Sequence, residues 1–377
     1  MANETDMKGM LDRNWQEILQ RVEFLHGTYS SIPGTSISLF GAGAAGQGAL
    51  QYFQNKHIPI QCVIDNDLKK QGTEIMGIPI VSIEHPLAVS SSFVLISTKT
   101  AVNIIRKQLQ ELNFKCIPFD AYYVLDNIER YTWVRTEVLA DNDSRLSLDG
   151  ILMSMLTGSL KYCTAIMDSN QYFCLPHFQN IGEEYFVDAG AYVGDTAERF
   201  FWANTGLFHH IYMFEPGVQQ FTALQSRMNR LITEWAIDPR KISAINAGLS
   251  DQNSSAHFGT TSTKLATTAI DFSTALAASD KPRVPLWSLD SYMEQHQSPV
   301  TFIKADVEGM ELTMLEGAVN TIRRYKPKLA LSAYHKPGDL FAIVDFVRSH
   351  VPEYQIALRH HSSNLSETVL YCWIESD

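Results

Sequence analysis

Two glycine-rich turns constrain what this chain can fold into. SISLFGAGAAGQG runs through Gly41 and YFVDAGAYVGDT runs through Gly190, each an apolar run broken by close glycines and followed by an amphipathic stretch. An apolar strand that passes through such a turn into a helix is the repeating unit of an open α/β sheet, where glycine permits tight turning and close approach of helix to strand. Two turns this far apart in 377 residues imply two sheets, since single domains usually hold about 100 to 200 residues. The expected fold class is α/β, with two doubly wound Rossmann-like domains joined by a helical connector.

The rest of the chain fits this division. Met10, Leu11, Trp15, Ile18, Leu19, Val22 and Leu25 recur at helical spacing, so residues 1–35 form an N-terminal helical segment that packs on the next domain. Residues 36–128 alternate strand and helix signals through IQCVID, GIPIV, SFVLIST, AVNIIRKQLQEL and KCIPF. Residues 129–178 lose the strand signal and read as a helical connector rich in Met and Leu. A second alternating series fills 179–377, through HIYMFEP, KISAINAGLSD, TFIKADVEG, KLALSAYH, YQIALRHH and TVLYCWI. The small polar residues of 252–300 interrupt it and are expected to form lids or substrate walls.

Composition limits the partners. Thirty Lys and Arg against 41 Asp and Glu give a net charge of −11, which repels nucleic acid and anionic membrane surfaces. The acidic start MANETDMKGMLDRNWQEILQ does not match a secretory signal, and no window has the roughly 18 apolar residues of a membrane span. The expectation is a cytoplasmic, soluble protein without nucleic-acid partners, its five scattered cysteines reduced. A homodimer is compatible with these features.

Gly41, Gly43 and Gly46 form G-x-G-x-x-G after a strand and before a helix, and Asp65 ends the next strand. This is a nucleotide-type site: glycines admit a pyrophosphate to the helix N-terminus, and the carboxylate accepts ribose hydroxyls. A Rossmann-like turn kept only for packing has the same pattern. After KCIPF no dehydrogenase-type His, Lys or Tyr constellation follows, so the expectation is nucleotide binding without hydride transfer. The alternatives are an NAD-type oxidoreductase and a non-catalytic nucleotide-binding protein, both centred on this domain.

The second turn has the spacing D-x-G-x-x-x-G. Asp188, Gly190, Tyr192, Gly194 and Asp195 suit a ligand such as S-adenosylmethionine, which lacks phosphate and ends in an amino acid. On this reading Asp188 or Asp195 orients the ammonium end, and Gly190 and Gly194 keep side chains away from the ligand. Glu215 in YMFEP takes both ribose hydroxyls. Gly248 and Leu249 wall the adenine, and Asp251 accepts from its amino group.

FVDAGAYVGDT, YMFEP, AGLSD, VPLWSLD at 284–290, and IKADVEGMELTMLEGA at 303–318 together resemble the FkbM family of S-adenosylmethionine-dependent methyltransferases, over residues 180–377. The resemblance implies a class I methyltransferase fold and methyl transfer to an oxygen, often a hydroxyl on a sugar, glycan precursor or secondary metabolite. The chain departs from the family in its N-terminal Rossmann-like extension and in His335, where relatives often carry glutamate or another polar residue.

Methyl transfer from a sulfonium requires alignment of the acceptor oxygen and removal of its proton. Asp306 is the leading acceptor-side residue, and Glu308, two positions on, shares its face if the strand stays extended. The two could hold a divalent cation. His335 ends the next strand and is the nearest candidate general base, with His360 and His361 on the same rim. Lys304 is a further catalytic candidate, or simply the partner of a carboxylate at the sheet edge. The acids from Glu308 to Glu311 also fit the first turn of a helix.

Overall fold

The structure, a computed structural model, describes residues 4–29, 36–99, 101–179, 182, 184–260, 268–271 and 283–375. The chain divides into two compact units, Met1–Met167 with Leu358–Thr368, and Asp168–Ala357 with Val369–Asp377.

The first unit opens on one continuous helix, α1 (Glu4–Tyr29), whose Leu11, Trp15, Ile18 and Val22 are buried. A six-stranded sheet follows, from β1 (Ile37–Phe40), β2 (Ile60–Ile64), β3 (Glu74–Ile75), β4 (Ile78–Val81), β5 (Phe93–Ile96) and β6 (Cys116–Pro118). Its order is β3-β4-β2-β1-β5-β6, parallel at every pairing except β3 with β4. The crossovers contain α2 (Ala44–Asn55), α3 (Pro86–Val89) and α4 (Val102–Glu111). The strand order reverses between β1 and β5, the point at which sheets of this kind take ligands.

Three helices complete the unit: α5 (Phe119–Trp133), α6 (Asn142–Thr157) and α7 (Lys161–Ile166). They group with the first sheet, so the boundary falls after Met167, inside the 129–178 stretch expected to be a separate connector. The reason is visible at Arg135, in a π-helical turn after α5. Its guanidinium grips both oxygens of buried Asp149 on α6 at 2.8 and 3.0 Å, donates to the Leu11 carbonyl at 3.0 Å, and lies over the Trp15 ring. One buried cation thereby ties α1, α5 and α6 together.

The second unit contains β7 (Tyr185–Ala189), α8 (Asp195–Ala203), β8 (His210–Phe214), α9 (Val218–Glu234), β9 (Ile242–Ile245), β10 (Gly248–Leu249), β11 (Ser254–Thr260), β12 (Thr268–Asp271), β13 (Arg283–Trp287) and α10 (Leu289–His296). After these come β14 (Phe302–Ala305), α11 (Glu311–Glu316), α12 (Val319–Tyr325), β15 (Lys328–Ser332), α13 (Asp339–His350), β16 (Gln355–His360) and β17 (Thr368–Trp373). The main sheet has the order β16-β17-β15-β14-β7-β8-β9, with β17 antiparallel to β15. This is the class I methyltransferase arrangement. Its centre is aromatic: Phe186 stacks on both Phe200 and Phe302 at 4.6 Å.

The stretch expected to be loop at 252–300 is partly sheet. β10, β13, β11 and β12 form a second sheet in that order, while 261–267 and 272–282 lie outside the described residues. Ser, Thr and Ala dominate here, which leaves little apolar alternation to read. Among the described residues no helix is long and apolar enough to cross a membrane. All five cysteines are free thiols.

Arg135→Ala leaves Asp149 buried without its cation and should destabilise the first unit by about 3–5 kcal/mol in urea unfolding. Replacing both partners by apolar residues, Arg135→Met with Asp149→Leu, should recover most of that loss.

Candidate functional site

The site is built where β7 and β14 run side by side. Their register sets Lys304 beside Asp188, and the two buried groups form an ion pair at 3.0 Å. The Lys304 ammonium also donates to the Gly190 carbonyl at 2.7 Å. Burial pulls the Lys304 pKa down, but Asp188 and Asp306 more than offset this and the net direction is up. Burial pushes the Asp188 carboxyl up against the pull of Lys304, and its Oδ2 has no hydrogen-bond partner. Lys304, expected among the catalytic residues, is thus a buried counter-ion that anchors the glycine turn.

The turn is held at both ends. Gly190 has φ +76, and a Cβ there would sit 1.9 Å from the Asp306 carbonyl oxygen. Gly194 has φ +81, and its Cβ would meet Leu224 and Met228 of α9. Both glycines are therefore required by backbone geometry and packing. Gly190 and Ala191 donate to the Phe214 carbonyl at 3.0 and 2.9 Å, tying the turn to the end of β8.

Glu215 follows that strand end. Its Oε2 accepts from the Tyr192 amide at 2.8 Å and its Oε1 from the Gly217 amide at 2.7 Å. Burial lifts its carboxyl to about 7 in spite of these amides. Asn246, which the sequence reading did not single out, donates to the Glu215 carbonyl at 2.9 Å. Asp195 is exposed in the first turn of α8. Gly248 and Leu249 form β10, buried and paired with Leu286 and Trp287, and Asp251 is exposed and accepts from the Ser250 hydroxyl.

A second cluster lies beyond β14 and β15. After Asp306 the chain does not stay extended: Glu308 has φ +53 and Gly309 φ +90. The turn removes the shared strand face expected for Asp306 and Glu308, but both still approach His335. Its Nε2 is 3.4 Å from Asp306 Oδ1 and 3.7 Å from Glu308 Oε2, and its Nδ1 is 2.9 Å from Glu311 Oε1. Burial alone would lower the His335 pKa, but the carboxylates of Glu311, Asp306 and Glu308 raise it to about 8. The Tyr172 hydroxyl donates to Asp306 Oδ2 at 2.9 Å, and the Tyr334 hydroxyl is 3.5 Å from Oδ1.

Glu311, not Glu308, is the buried acid of this cluster, with Oε1 accepting from the Val307 and Gly309 amides. An acid at a helix start looks like ordinary dipole complementation in sequence, which hid it. His360 is wholly buried, bonds Thr368 at 2.9 Å and falls in the segment grouped with the first unit, so it is not part of the cluster.

In the first unit the three glycines have separate duties. Gly41 turns at φ +116, Gly46 packs so closely that a Cβ would be 1.9 Å from the Gly41 carbonyl, and Gly43 faces open space. No side chain caps α2 at Gly43. Asp65 accepts from the Ala42 amide at 2.8 Å and pairs with Lys70 at 3.2 Å, so it braces the loop itself. A cavity of about 270 Å³ opens past β5 and β6, with Lys99, Asn103 and Asp120 among its walls.

If Lys304 is structural, Lys304→Met strands the Asp188 charge and should cost about 3–5 kcal/mol of stability. Adding Asp188→Asn should restore part of it. Differential scanning calorimetry of the two variants measures this, and a catalytic lysine would instead leave stability near the parent value.

Comparison with known proteins adds the following. Residues 188–355 match the family described as Methyltransferase FkbM domain, and residues 35–116 match C2185-like, N-terminal. The crystal structure of methyltransferase FkbM from Methylobacillus flagellatus KT superposes with TM-score 0.60 at 21% identity, covering 96% of this chain and 99% of that one. Precorrin-6y C5,15-methyltransferase from Geobacter metallireducens GS-15 matches at 10% identity and TM-score 0.32, over 52% of this chain and 82% of that one. UDP-D-quinovosamine 4-dehydrogenase from Vibrio fischeri matches at 25% identity and TM-score 0.19, over 26% of this chain and 85% of that one. No curated protein matches the chain. The glycine turn, the Glu215 strand end and the acid cluster after β14 all fall within 188–355, the segment that matches the methyltransferase FkbM domain family.

Proposed function

We propose that the protein is an S-adenosylmethionine-dependent O-methyltransferase acting on a hydroxyl of a sugar, glycan precursor or secondary metabolite. The observation that carries this is the turn between Asp188 and Glu215. It presents one buried carboxylate with an unpartnered oxygen and a second carboxylate at the next strand end, with an imidazole–carboxylate cluster beyond the adjoining strands.

The residues fit the cofactor. Asp188 Oδ2 is available to the ammonium end, directly or through water. Each Glu215 oxygen has a lone pair left for a ribose hydroxyl after accepting one amide. Bound S-adenosylmethionine supplies an electrophilic methyl group and a leaving thioether that departs uncharged. The chain's own task is to align the acceptor and receive its proton. Asp306, oriented by Tyr172, accepts the acceptor's hydroxyl hydrogen, and the proton stays in the cluster it forms with His335.

The first unit supports a second binding reading, a nucleotide held without hydride transfer. Uncapped amides at α2 and the open approach to Gly43 suit a phosphate.

S-adenosylhomocysteine at about 100 times its Kd should stabilise the protein by about 2.7 kcal/mol, seen as a rise in Tm, and Glu215→Ala should abolish the rise while leaving the protein folded. No rise at saturation would refute the reading. Glu215 is neutral below about 7 in the free protein, and ribose hydroxyls bind its carboxylate form. Affinity measured by calorimetric titration should therefore fall as pH drops below 7, by up to about tenfold per unit, and level off above it. Asp306→Asn should lower kcat by about 100-fold or more with S-adenosylhomocysteine binding retained.

A further inference from the structure

We propose that Asp306, Glu311 and His335 form a binding site for one divalent transition-metal ion. The inference rests on reading this cluster as the acceptor side of the site. One donor atom from each residue lies within 4.8 Å of the others.

The contact between His335 and Glu311 is the decisive detail. Nδ1 and Oε1 are 2.9 Å apart, an ion pair when the imidazole is protonated and two adjacent ligand atoms when it is not. Glu311, 1% exposed, has an unpartnered Oε2. A buried carboxylate oxygen left unsatisfied is costly. An imidazole nitrogen this close to such a carboxylate has the geometry of ligands converging on a common ion.

The charge balance agrees. Asp306, Glu308, Glu311 and Asp339 face this region, while Lys304 is committed to Asp188 and the Lys336 ammonium donates to the Gly309 carbonyl. Two carboxylates and an imidazole favour Mn²⁺, Fe²⁺ or Zn²⁺ over Ca²⁺ or Mg²⁺. Three protein donors leave open positions, where the ion would bind the acceptor oxygen and lower its pKa. The O–H bond then breaks with its proton passing to the Asp306 carboxylate oxygen that does not hold the ion.

The test uses the full chain, stripped with chelator and titrated with Mn²⁺ alone. Loss of the free-ion electron paramagnetic resonance signal reads binding, and S-adenosylhomocysteine binding is measured on the same samples. We expect one Mn²⁺ per chain, weakened at least about tenfold in Glu311→Gln and His335→Ala and retained in Glu308→Gln. Asp306→Asn, at a partly exposed position, gives the same loss without risk to the core. Absence of binding at millimolar Mn²⁺, or binding indifferent to all three ligand substitutions, overturns the proposal. If S-adenosylhomocysteine still binds in that case, only the metal site fails; if it does not bind either, the methyltransferase reading fails with it.

Discussion

The second unit is organised around the contact between the Gly190 turn and the end of β14. A missing Cβ lets the turn rest on the Asp306 carbonyl, and Lys304 reaches from β14 to bind the turn's carbonyl and Asp188 together. The glycine turn and Asp306 therefore share one backbone junction. The glycine, lysine and two aspartates act as one mechanical unit, and any shift in β14 moves both halves of the site.

The two glycine turns show how similar local sequence serves different ends. In both units a glycine sits against a neighbouring carbonyl with no room for a methyl group, Gly46 on Gly41 and Gly190 on Asp306. The difference lies in what remains open. Asp65 takes the Ala42 amide as Glu215 takes that of Tyr192, and neither following helix has a side-chain cap. Gly43 before α2 has open space beside it, whereas Gly194 before α8 packs against Leu224 and Met228.

The α/β architecture, both glycine turns, and the placement of Asp188, Glu215, Asp306 and His335 at or just past strand ends were legible in the sequence because strand ends and turn residues follow local rules. The β11–β12 pair was not, since only Ala256 and Phe258 of β11 and Ile270 of β12 mark an apolar face in a run of small polar residues. Lys304 was ambiguous until register placed it beside Asp188. Glu311 was masked by its position at a helix start. Tyr172 gave no local signal, because its partner Asp306 is 134 residues away and only the folded sheet joins them.

The reach of Tyr172 separates what is inherited from what folds. The family match spans 188–355, yet Tyr172 lies upstream of it and β17, hydrogen-bonded between β15 and β16 in the middle of one wing of the sheet, lies downstream at 368–373. A gene fragment cut at the bounds of the match would encode the glycine turn and the acid cluster but lack β17, nearly all of β16, most of β7 and the Tyr172 hydroxyl that donates to Asp306. A transplant of this site into another protein must therefore carry flanks that lie outside the matched segment.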